Sequence, residues 1–394
     1  MNPSKNLLLG PRSIIIVRLT VQRSTKERIL VALSGGVDSA VTAALLKQAG
    51  HEVEAVYVRT WEHEDDLLGN CPGAQDLRDA EAIALQLDVP FHVVNFIDFY
   101  QQEVVNPMVH GYADGITPNP DVLCNRQMKF GALLEYAQKQ SFEALATGHY
   151  CIRKTNKSGE AELWEGKDKN KDQSYFLARL KSRQLMYSRF PLGSLEKPDV
   201  RKLAHAFSLP VSQKKDSQGI CFLGKVKVPE FLSHFIQDNN GEIVDTNGKV
   251  LGNHQGLHRY TLGQRKGIGV PSNTDHENFV VTGKDKVTNQ LIVAFDRPNE
   301  PTLWAKRFGL EQVGFLCPGF EHKTEINLLG KARYRDPSTP IRLIKKANET
   351  WAVEFKVAQR ALTPGQILAF YLGEQLIGSG IYSLSKFGRA ALSS

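Results

Sequence analysis

The sequence predicts an α/β protein: a doubly wound, mostly parallel sheet, then a small central domain, then a C-terminal β-barrel. Apolar runs of strand length alternate with helical patterns from residue 27 to about residue 150, as in parallel sheets covered by helices on both faces. A glycine-containing turn with the sequence SGGVDS joins the first strand to the first helix. From about residue 286, short Val, Ile, Leu and Phe runs separated by turn residues predict a small barrel.

The predicted elements of the first domain follow one another in a regular order. Strands are expected at 28–33, 54–59, 91–95 and 144–146, and helices at 40–49, 74–87, 129–140 and 198–207. Residues 151–166 are polar around a central turn and predict a hairpin. Because ligands of such sheets bind at the carboxyl ends of the strands, Ser34, Val58 and Gly148 are expected to border one pocket.

Length and charge indicate how the chain is organised and what it binds. A chain of 394 residues exceeds one core, and we predict domains at 27–216, 217–285 and 286–394 behind a basic extension at 1–26. That extension has no acidic residue, which fits a transit peptide or a loosely attached extension without function. The excess of 49 Lys and Arg over 42 Asp and Glu favours a polyanionic partner. No apolar stretch is long enough for a membrane span.

Residues 34–39 (SGGVDS) form a predicted anion-binding turn. Gly35 and Gly36 let the backbone approach a phosphate closely, and the first amides of the following helix point toward it. Ser34 and Ser39 add hydroxyl donors, and Asp38 can orient a metal ion or cap the turn. The turn lacks the Gly-Lys-Ser/Thr ending of kinase and GTPase loops and looks like the loop of enzymes that split ATP between its α- and β-phosphates. The alternative is a turn that only caps a helix.

A second candidate site is the segment that contains Asn119, Asp121 and Cys124. Pro118 and Pro120 predict a stiff, non-helical backbone there. Asp121 could relay a proton, and Cys124, three residues later, could attack once deprotonated. The spacing alone favours the plainer interpretation, a capping Asp and a buried Cys.

The other cysteines add a third candidate site. Cys221 lies between glycines and close to Lys214 and Lys215, whose charge would lower the pKa of its thiol. Cys124 and Cys221 could form a nucleophile and a sulfur carrier if the fold brings them together. The five cysteines contain no CxxC, which disfavours a secreted disulfide framework and a zinc site. Cys151 and Cys317 are expected to be packing thiols.

Eight motifs occur in order between residues 30 and 380: SGGVDS, TPNPDVLCNRQMKF, ATGHY, NKDQSYFL, KKDSQGICFLG, HQGLHRYTLGQRKGIG, ARYR and TPGQ. Together they resemble the bacterial tRNA-specific 2-thiouridylases of the PP-loop ATP pyrophosphatase superfamily. The resemblance covers nearly the whole chain beyond the basic extension. It implies an adenine nucleotide alpha hydrolase-like first domain and a sulfurtransferase that converts ATP to AMP and diphosphate while it places sulfur on C2 of the wobble uridine of certain tRNAs.

The resemblance also implies roles for individual residues. ATP would contact Ala32, Leu33, Ser34, Gly35, Gly36, Val37, Asp38, Ser39, Val58 and Gly148. The tRNA would contact Asn119, Pro120, Asp121, His149, Lys171, Asp172, Gln173, Arg333, Tyr334 and Gln366. Cys124 matches the nucleophile, Cys221 the persulfide carrier, and Asp121 a candidate acid or base. Val58 replaces the methionine that the family commonly has, and Gln264, Arg265 and Lys266 are further RNA candidates on charge and motif.

The implied reaction uses ATP with Mg²⁺ to adenylate O2 of a flipped-out uridine. The Cys221 persulfide then attacks C2 directly or first yields sulfide, and Cys124 resolves the persulfide or transiently holds the base. The two cysteines can join as a disulfide when the sulfur is released. The expected partners are the anticodon stem-loop of tRNA and a persulfide donor protein. A cytoplasmic monomer that does not bind membranes is expected.

Three other interpretations compete with this one. Another adenylating enzyme, such as an argininosuccinate-type ligase or a GMP-synthetase-like amidotransferase, would turn over ATP without tRNA. A non-catalytic RNA-binding module would bind RNA but transfer no sulfur. Cys71, Cys124 and Cys221 could instead hold an iron–sulfur cluster, which is disfavoured because Cys221 lies in a predicted mobile loop.

Overall fold

The structure, a computed structural model, describes residues 26–61, 72–216, 227–271, 277–298, 300–347 and 349–383. The predictions made for Cys71, for Cys221 and for residues 1–25 lie outside these ranges. Within them, no helix combines the length and the apolar character that crossing a bilayer requires.

Seventeen strands are found in the described residues. They are β1 (Arg28–Ala32), β2 (Glu52–Arg59), β3 (Phe91–Asn95), β4 (Ala144–Ala146), β5 (Cys151–Thr155), β6 (Ala161–Glu165), β7 (Ser188–Arg189), β8 (Gly241–Asp245), β9 (Val250–His254), β10 (Phe279–Asp285), β11 (Gln290–Phe295), β12 (Trp304–Phe315), β13 (Glu325–Lys331), β14 (Thr339–Lys345), β15 (Trp351–Arg360), β16 (Ile367–Leu372) and β17 (Gln375–Tyr382).

The helices are mostly in the first half of the chain. They are α1 (Val37–Gln48), α2 (Pro72–Leu87), α3 (Ile97–Tyr100), α4 (Asn106–Ala113), α5 (Pro120–Leu123), α6 (Leu134–Lys139), α7 (Ser182–Met186), α8 (Lys197–Ala206) and α9 (Val228–Leu232). Two wider, π-type segments, Gln101–Val105 and Cys124–Leu133, continue α3 into α4 and α5 into α6.

The first domain is built on a fully parallel five-stranded sheet in the order β3-β2-β1-β4-β7. The apolar run of β1 is buried on both faces, because side chains alternate along a strand. Ile29 and Val31 join the core under α1, α2 and α8, whereas Leu30 joins a second core with Leu133 and Leu145 on the opposite face. The predicted doubly wound sheet is confirmed.

The segment around Cys124 differs from the prediction. Asn119 caps a helix that begins at Pro120, and its side-chain oxygen accepts a hydrogen bond from the Val122 amide at 3.2 Å. The non-helical backbone predicted for this stretch is therefore wrong from Pro120 onward. Proline is well suited to the first helical position, where its missing N–H would have no partner inside the helix.

The middle of the chain forms a four-stranded sheet in the order β10-β11-β8-β9, with β11 parallel to β8 and the other pairs antiparallel. Its small core contains Ile243, Leu291 and Val293. The hairpin β10–β11 crosses residue 285, where one predicted domain limit falls. The limits 27–216, 217–285 and 286–394 stay predictions.

Six antiparallel strands close into a C-terminal barrel in the order β12-β15-β14-β13-β16-β17, with β17 pairing back to β12. The predicted barrel is confirmed. The predicted polar hairpin is also present as β5–β6, but β6 pairs with β17 and extends the barrel sheet. A buried ion triad reinforces this joint, since Lys331 of the barrel lies 2.9 Å from Glu165 and 3.3 Å from Asp172.

Candidate active site

The phosphate loop follows β1 directly and is closed by its own serines. Gly35 has φ +70°, which favours glycine, and Gly36 precedes α1 in an extended conformation. The Ser39 hydroxyl donates to the Gly36 carbonyl at 3.1 Å and accepts from the Ser34 amide at 3.2 Å. These bonds hold the turn while the first amides of α1 face outward from the strand end, the arrangement that binds phosphates at helix N-termini.

Two glycines let neighbouring segments pack tightly on this loop. A Cβ at Gly35 would lie 2.3 Å from the carbonyl oxygen of Asp76 in α2. A Cβ at Gly148, just after β4, would lie 2.9 Å from the carbonyl carbon of Asp38 and 2.9 Å from the amide nitrogen of Ser39. Of the three strand ends predicted to border one pocket, those of β1 and β4 therefore lie together, and the place of Val58 in that pocket stays a prediction.

Asp38 is bound by two residues that sequence reasoning did not single out. The Tyr150 hydroxyl donates to its carboxylate at 2.8 Å, and the Lys197 ammonium lies 2.7 Å from the same oxygen. Burial and the Asp38 carboxylate both raise the pKa of Tyr150, which therefore stays protonated as the donor. Tyr150 is the last residue of the ATGHY motif, so the motif could have indicated its place in the site. No pattern in the sequence connects Lys197 with Asp38.

A second acidic residue, Asp216, gathers three cations beside the loop. Lys197 lies 2.9 Å and Lys171 2.8 Å from its carboxylate, and Arg201 donates to it as well. Burial opposes ionisation of Asp216, but the two ammonium groups prevail and lower its pKa to about 2. Asp216 therefore binds both Lys171, a predicted tRNA contact, and Lys197, which in turn binds Asp38 of the loop.

Lys214 holds the other side of the loop. Its ammonium donates to the Gly35 carbonyl at 3.0 Å and to the carboxylates of Asp76 at 2.7 Å and Asp79 at 2.5 Å. Burial opposes its charge, yet the two carboxylates raise the pKa of Lys214 above its ordinary value. The predicted effect of Lys214 on Cys221 lies outside the described residues, whereas its bond to the Gly35 carbonyl shows that Lys214 holds the phosphate loop.

Cys124 lies on the first turn after α5 and is only 3% exposed. Its apolar cluster contains Tyr100 and Met128, and Val58, the predicted adenine contact, packs against the same cluster. The predicted nucleotide pocket and the Cys124 thiol thus share a wall. Asp121 is three residues earlier, about one helical turn away, as the prediction that the two share a turn requires.

The two ends of the Cys221-bearing segment are both anchored near the candidate site. Asp216 binds the cations beside the phosphate loop, and Cys221 is the fifth residue after it. On the other side, Phe231 and Leu232 of α9 pack in the cluster that contains Cys124. Whether Cys221 meets Cys124 lies outside the described residues.

The remaining cysteines are packing thiols, as expected. Cys151 is fully buried, and burial raises the pKa of its thiol well above the ordinary value. Cys317 is half-buried against β17, where the Gln375 side chain donates to its sulfur at 3.3 Å. No group of three or more His, Cys, Asp or Glu suited to a metal ion occurs among the residues that the structure describes.

Three family models and several relatives match most of the chain. Family models described as "tRNA methyl transferase HUP domain", "tRNA methyl transferase PRC-barrel domain" and "Aminomethyltransferase beta-barrel domain" match residues 27–225, 229–295 and 306–382. The tRNA-specific 2-thiouridylase MnmA of Akkermansia muciniphila is 44% identical over 356 residues, which cover 90% of this chain and 98% of that protein. The protein of the same name from Hydrogenovibrio crunogenus is 42% identical over 364 residues, or 91% of this chain and 95% of that protein.

The chain belongs to the tRNA-specific 2-thiouridylase family. The resemblance inferred from the eight ordered motifs is thereby confirmed.

Several of these residues hold the fold together. Asp172 is buried and accepts hydrogen bonds from the Gly166 amide at 3.0 Å and the Ser174 hydroxyl at 2.9 Å. The side-chain oxygen of Gln173 accepts a hydrogen bond from the Tyr150 amide at 3.0 Å. Gln173 is thereby connected to Asp38, which the Tyr150 hydroxyl binds. These contacts fix the segment that contains Lys171, whose ammonium shares Asp216 with Lys197, so the predicted tRNA contacts and the predicted nucleotide contacts are structurally connected.

His149 is buried between Phe130 and Phe190, with ring centroids 5.9 and 6.1 Å away. Its Nδ1 lies 2.7 Å from the Thr147 hydroxyl. Burial, together with the charge of Lys129, holds the pKa of His149 well below 6.5. The imidazole is therefore neutral at physiological pH and is held as a structural group beside Gly148.

The predicted tRNA contacts of the barrel are also bonded within the protein. Arg333 donates to the backbone carbonyls of Arg360 and Ala361 at 2.7 and 2.6 Å. Gln366 donates to the Thr117 carbonyl at 2.7 Å, which ties the barrel to the segment before Asn119. Tyr334 packs on Phe176 with ring centroids 4.3 Å apart.

Among the central RNA candidates, the Arg265 guanidinium forms an ion pair with Asp296 at 3.0 Å. Gln264 is turned back on its own loop, where it donates to the Lys266 carbonyl at 2.9 Å. Its assignment to RNA therefore stays a prediction, as do the other tRNA contacts.

Proposed function

We propose that this protein is a tRNA-uridine 2-sulfurtransferase that adenylates O2 of the wobble uridine and replaces that oxygen with sulfur. The observation that carries the proposal is the similarity, over 90% of the chain, to proteins named tRNA-specific 2-thiouridylase. The packing of Val58, the predicted adenine contact, against the cluster that contains Cys124 supports it, since adenylation and sulfur transfer must act on the same base.

The nucleotide half of the site uses the residues around the loop. The amides at the start of α1 would bind phosphate oxygens, and Val58 would pack against the adenine. Lys197 and Lys171 supply positive charge for the α-phosphate and the departing diphosphate. Mg²⁺, which neutralises phosphate charge, fits here only as an ion held mainly by phosphates, with Asp38 as the loop carboxylate.

The sulfur half uses two thiols in sequence. The uridine O2 attacks the α-phosphorus and diphosphate leaves. The terminal sulfur of a persulfide on Cys221 attacks C2, and AMP leaves with the original oxygen. The Cys124 thiolate then attacks the Sγ of Cys221, which releases the new thiocarbonyl and joins the two cysteines as a disulfide that an external thiol reduces.

Cys124 is too buried to react as the described fold stands. Reactive cysteines are partly exposed and lie close to cations, whereas this thiol is 3% exposed in an apolar cluster. Because Phe231 and Leu232 of α9 pack in the cluster, we propose that entry of the uridine moves α9 and exposes Cys124. The donor of the persulfide is proposed to be another protein, and the chain is proposed to act as a monomer.

The test is nucleoside analysis by mass spectrometry after incubation of unmodified tRNA with the protein, ATP and a persulfide donor. We expect 2-thiouridine to form with the wild type and with Cys317→Ser, but not with Cys124→Ser or Cys221→Ser. ATP turnover that does not depend on tRNA would favour a small-molecule ligase. A methylated nucleoside without 2-thiouridine would overturn the proposal in favour of methyl transfer.

A further inference from the structure

A cavity of about 230 Å³ separates the Cys124-bearing helix from the barrel. On the helix side its lining includes Asn119, Val122, Leu123 and Arg126, which recur at helical spacing and so share one face. Asp121 and Cys124 belong to a neighbouring face of the same helix. The cavity is therefore adjacent to the proposed reaction site but is not the cluster that holds the thiol.

Two arginines enter this cavity without an acidic partner. Arg126 has no side-chain hydrogen bond or ion pair, and Arg179 has no ion pair, among the residues that the structure describes. Glu311 also lines the cavity, yet it pairs with neither arginine in the described part of the chain. Burial and repulsion from Arg126 lower the pKa of Arg179 to about 10. Two like charges placed together in a part-buried cavity are costly unless an anion joins them.

The barrel orients Arg179 with neutral groups only. Its guanidinium donates to the backbone carbonyl of Gln312 and, at 2.9 Å, to the side-chain oxygen of the same residue. Gln312 has φ +48° and lies where the register of β12 against β17 shifts. At this irregular position the backbone and side-chain oxygens of Gln312 both accept hydrogen bonds from Arg179 and fix the position of its guanidinium. Both oxygens are neutral, so they do not balance its positive charge. A guanidinium has five N–H donors, so donors remain for a ligand.

We propose that Arg126 and Arg179 bind a backbone phosphate of the tRNA next to the target uridine. A guanidinium pair matches the geometry and charge of a phosphate, and phosphate contacts fix the register of a nucleic acid without reading its sequence. The ribose-phosphate would occupy the Asn119 and Arg126 face while the base turns toward the Asp121 and Cys124 face. This inference rests on the proposed function and adds two positioning residues to it.

The test is the salt dependence of binding of an unmodified anticodon stem-loop to the full-length protein. For Arg126→Gln and Arg179→Gln, affinity should fall about tenfold at low salt, and the slope of log K against log salt should fall by roughly 0.7 for each lost contact. Arg307→Gln removes the same charge from the outer barrel, where Arg307 pairs with Glu354 at 3.0 Å, and should change the slope little. Arg179→Lys should keep most of the slope.

Thermal unfolding separates binding from stability. If the arginines only join the domains, both Gln variants will lower the midpoint while affinity and slope match Arg307→Gln, and the proposal fails. If inorganic phosphate at millimolar concentration stabilises the wild type but the stem-loop slope is unchanged in the variants, the cavity takes free phosphate and the RNA assignment is wrong. A wild type that binds the stem-loop but forms no 2-thiouridine would overturn the proposed function and leave this inference standing.

Discussion

Charge holds the phosphate loop in place, whereas apolar packing holds the helix that carries Cys124. Around the loop, Lys197, Lys214 and Asp216 form ion pairs of 2.5 to 2.9 Å that span three segments distant in sequence. Around Cys124, the neighbours are aromatic and aliphatic. The difference indicates that the proposed nucleotide site is already formed, whereas the proposed nucleophile Cys124 must be uncovered to react. The following changes test each half of that contrast.

The largest effect is expected where packing alone shields the thiol. Phe231→Ala removes a ring that is 2% exposed in the Cys124 cluster, and large-to-small changes of this kind cost about 3–5 kcal/mol. Chemical unfolding should show that loss, and Cys124 should react faster with a thiol reagent. Phe235→Ala is the control: its ring is 41% exposed and packs on Phe231 with centroids 4.9 Å apart, so both effects should be much smaller. An unchanged thiol reaction rate in Phe231→Ala would argue against shielding by α9.

A methyl group at Gly148 should disable the loop without removing any charge. The added Cβ would lie within 2.9 Å of the Asp38 and Ser39 backbone, so the loop must move. A misplacement of this size can cost on the order of a hundredfold in rate. We expect Gly148→Ala to lose ATP binding by calorimetry and thiolation to that extent. Gly314→Ala, which meets nothing within 4 Å, is the matched control.

Loss of one carboxylate from the charged network should cost less, because the network is partly exposed. Asp216→Asn leaves Lys171, Lys197 and Arg201 without their shared partner, and we expect a loss of about 1–2 kcal/mol in unfolding free energy. Asp199→Asn breaks an exposed pair with Lys202 and should cost less than about 0.5 kcal/mol. Equal costs for the two variants would contradict a special role for Asp216.

The smallest effect expected is a pH dependence from His149. Its folded pKa lies below the ordinary value of 6.5, so the unfolded chain binds protons more readily. The stability that this histidine contributes is therefore fully present above pH 6.5 and is lost as the pH falls below that value. His149→Asn should flatten this decline in thermal midpoint, whereas the exposed His110→Asn should not. His254 and His258, whose pKa values burial also lowers, should leave part of the decline in place.

Local patterns predicted much of the fold and part of the site. The parallel sheet, the SGGVDS turn after β1 and the C-terminal barrel each follow from signals within a few residues: apolar runs, glycines and turn residues. The helix at Pro120 was missed because proline was interpreted as a helix breaker, although it also starts helices. The joining of the β5–β6 hairpin to the barrel through β17 has no local signal.

The sequence by itself determined the glycine turn between strand and helix, where a phosphate is predicted to bind, and the positions of the cysteines, because both are local properties. Only the tertiary structure decided that Lys197 and Lys214 clamp the loop, that Cys124 is shielded, and that Arg126 and Arg179 share a cavity. Those relations join segments tens to hundreds of residues apart. Distance and burial, which set electrostatic and packing energies, exist only once the chain has folded.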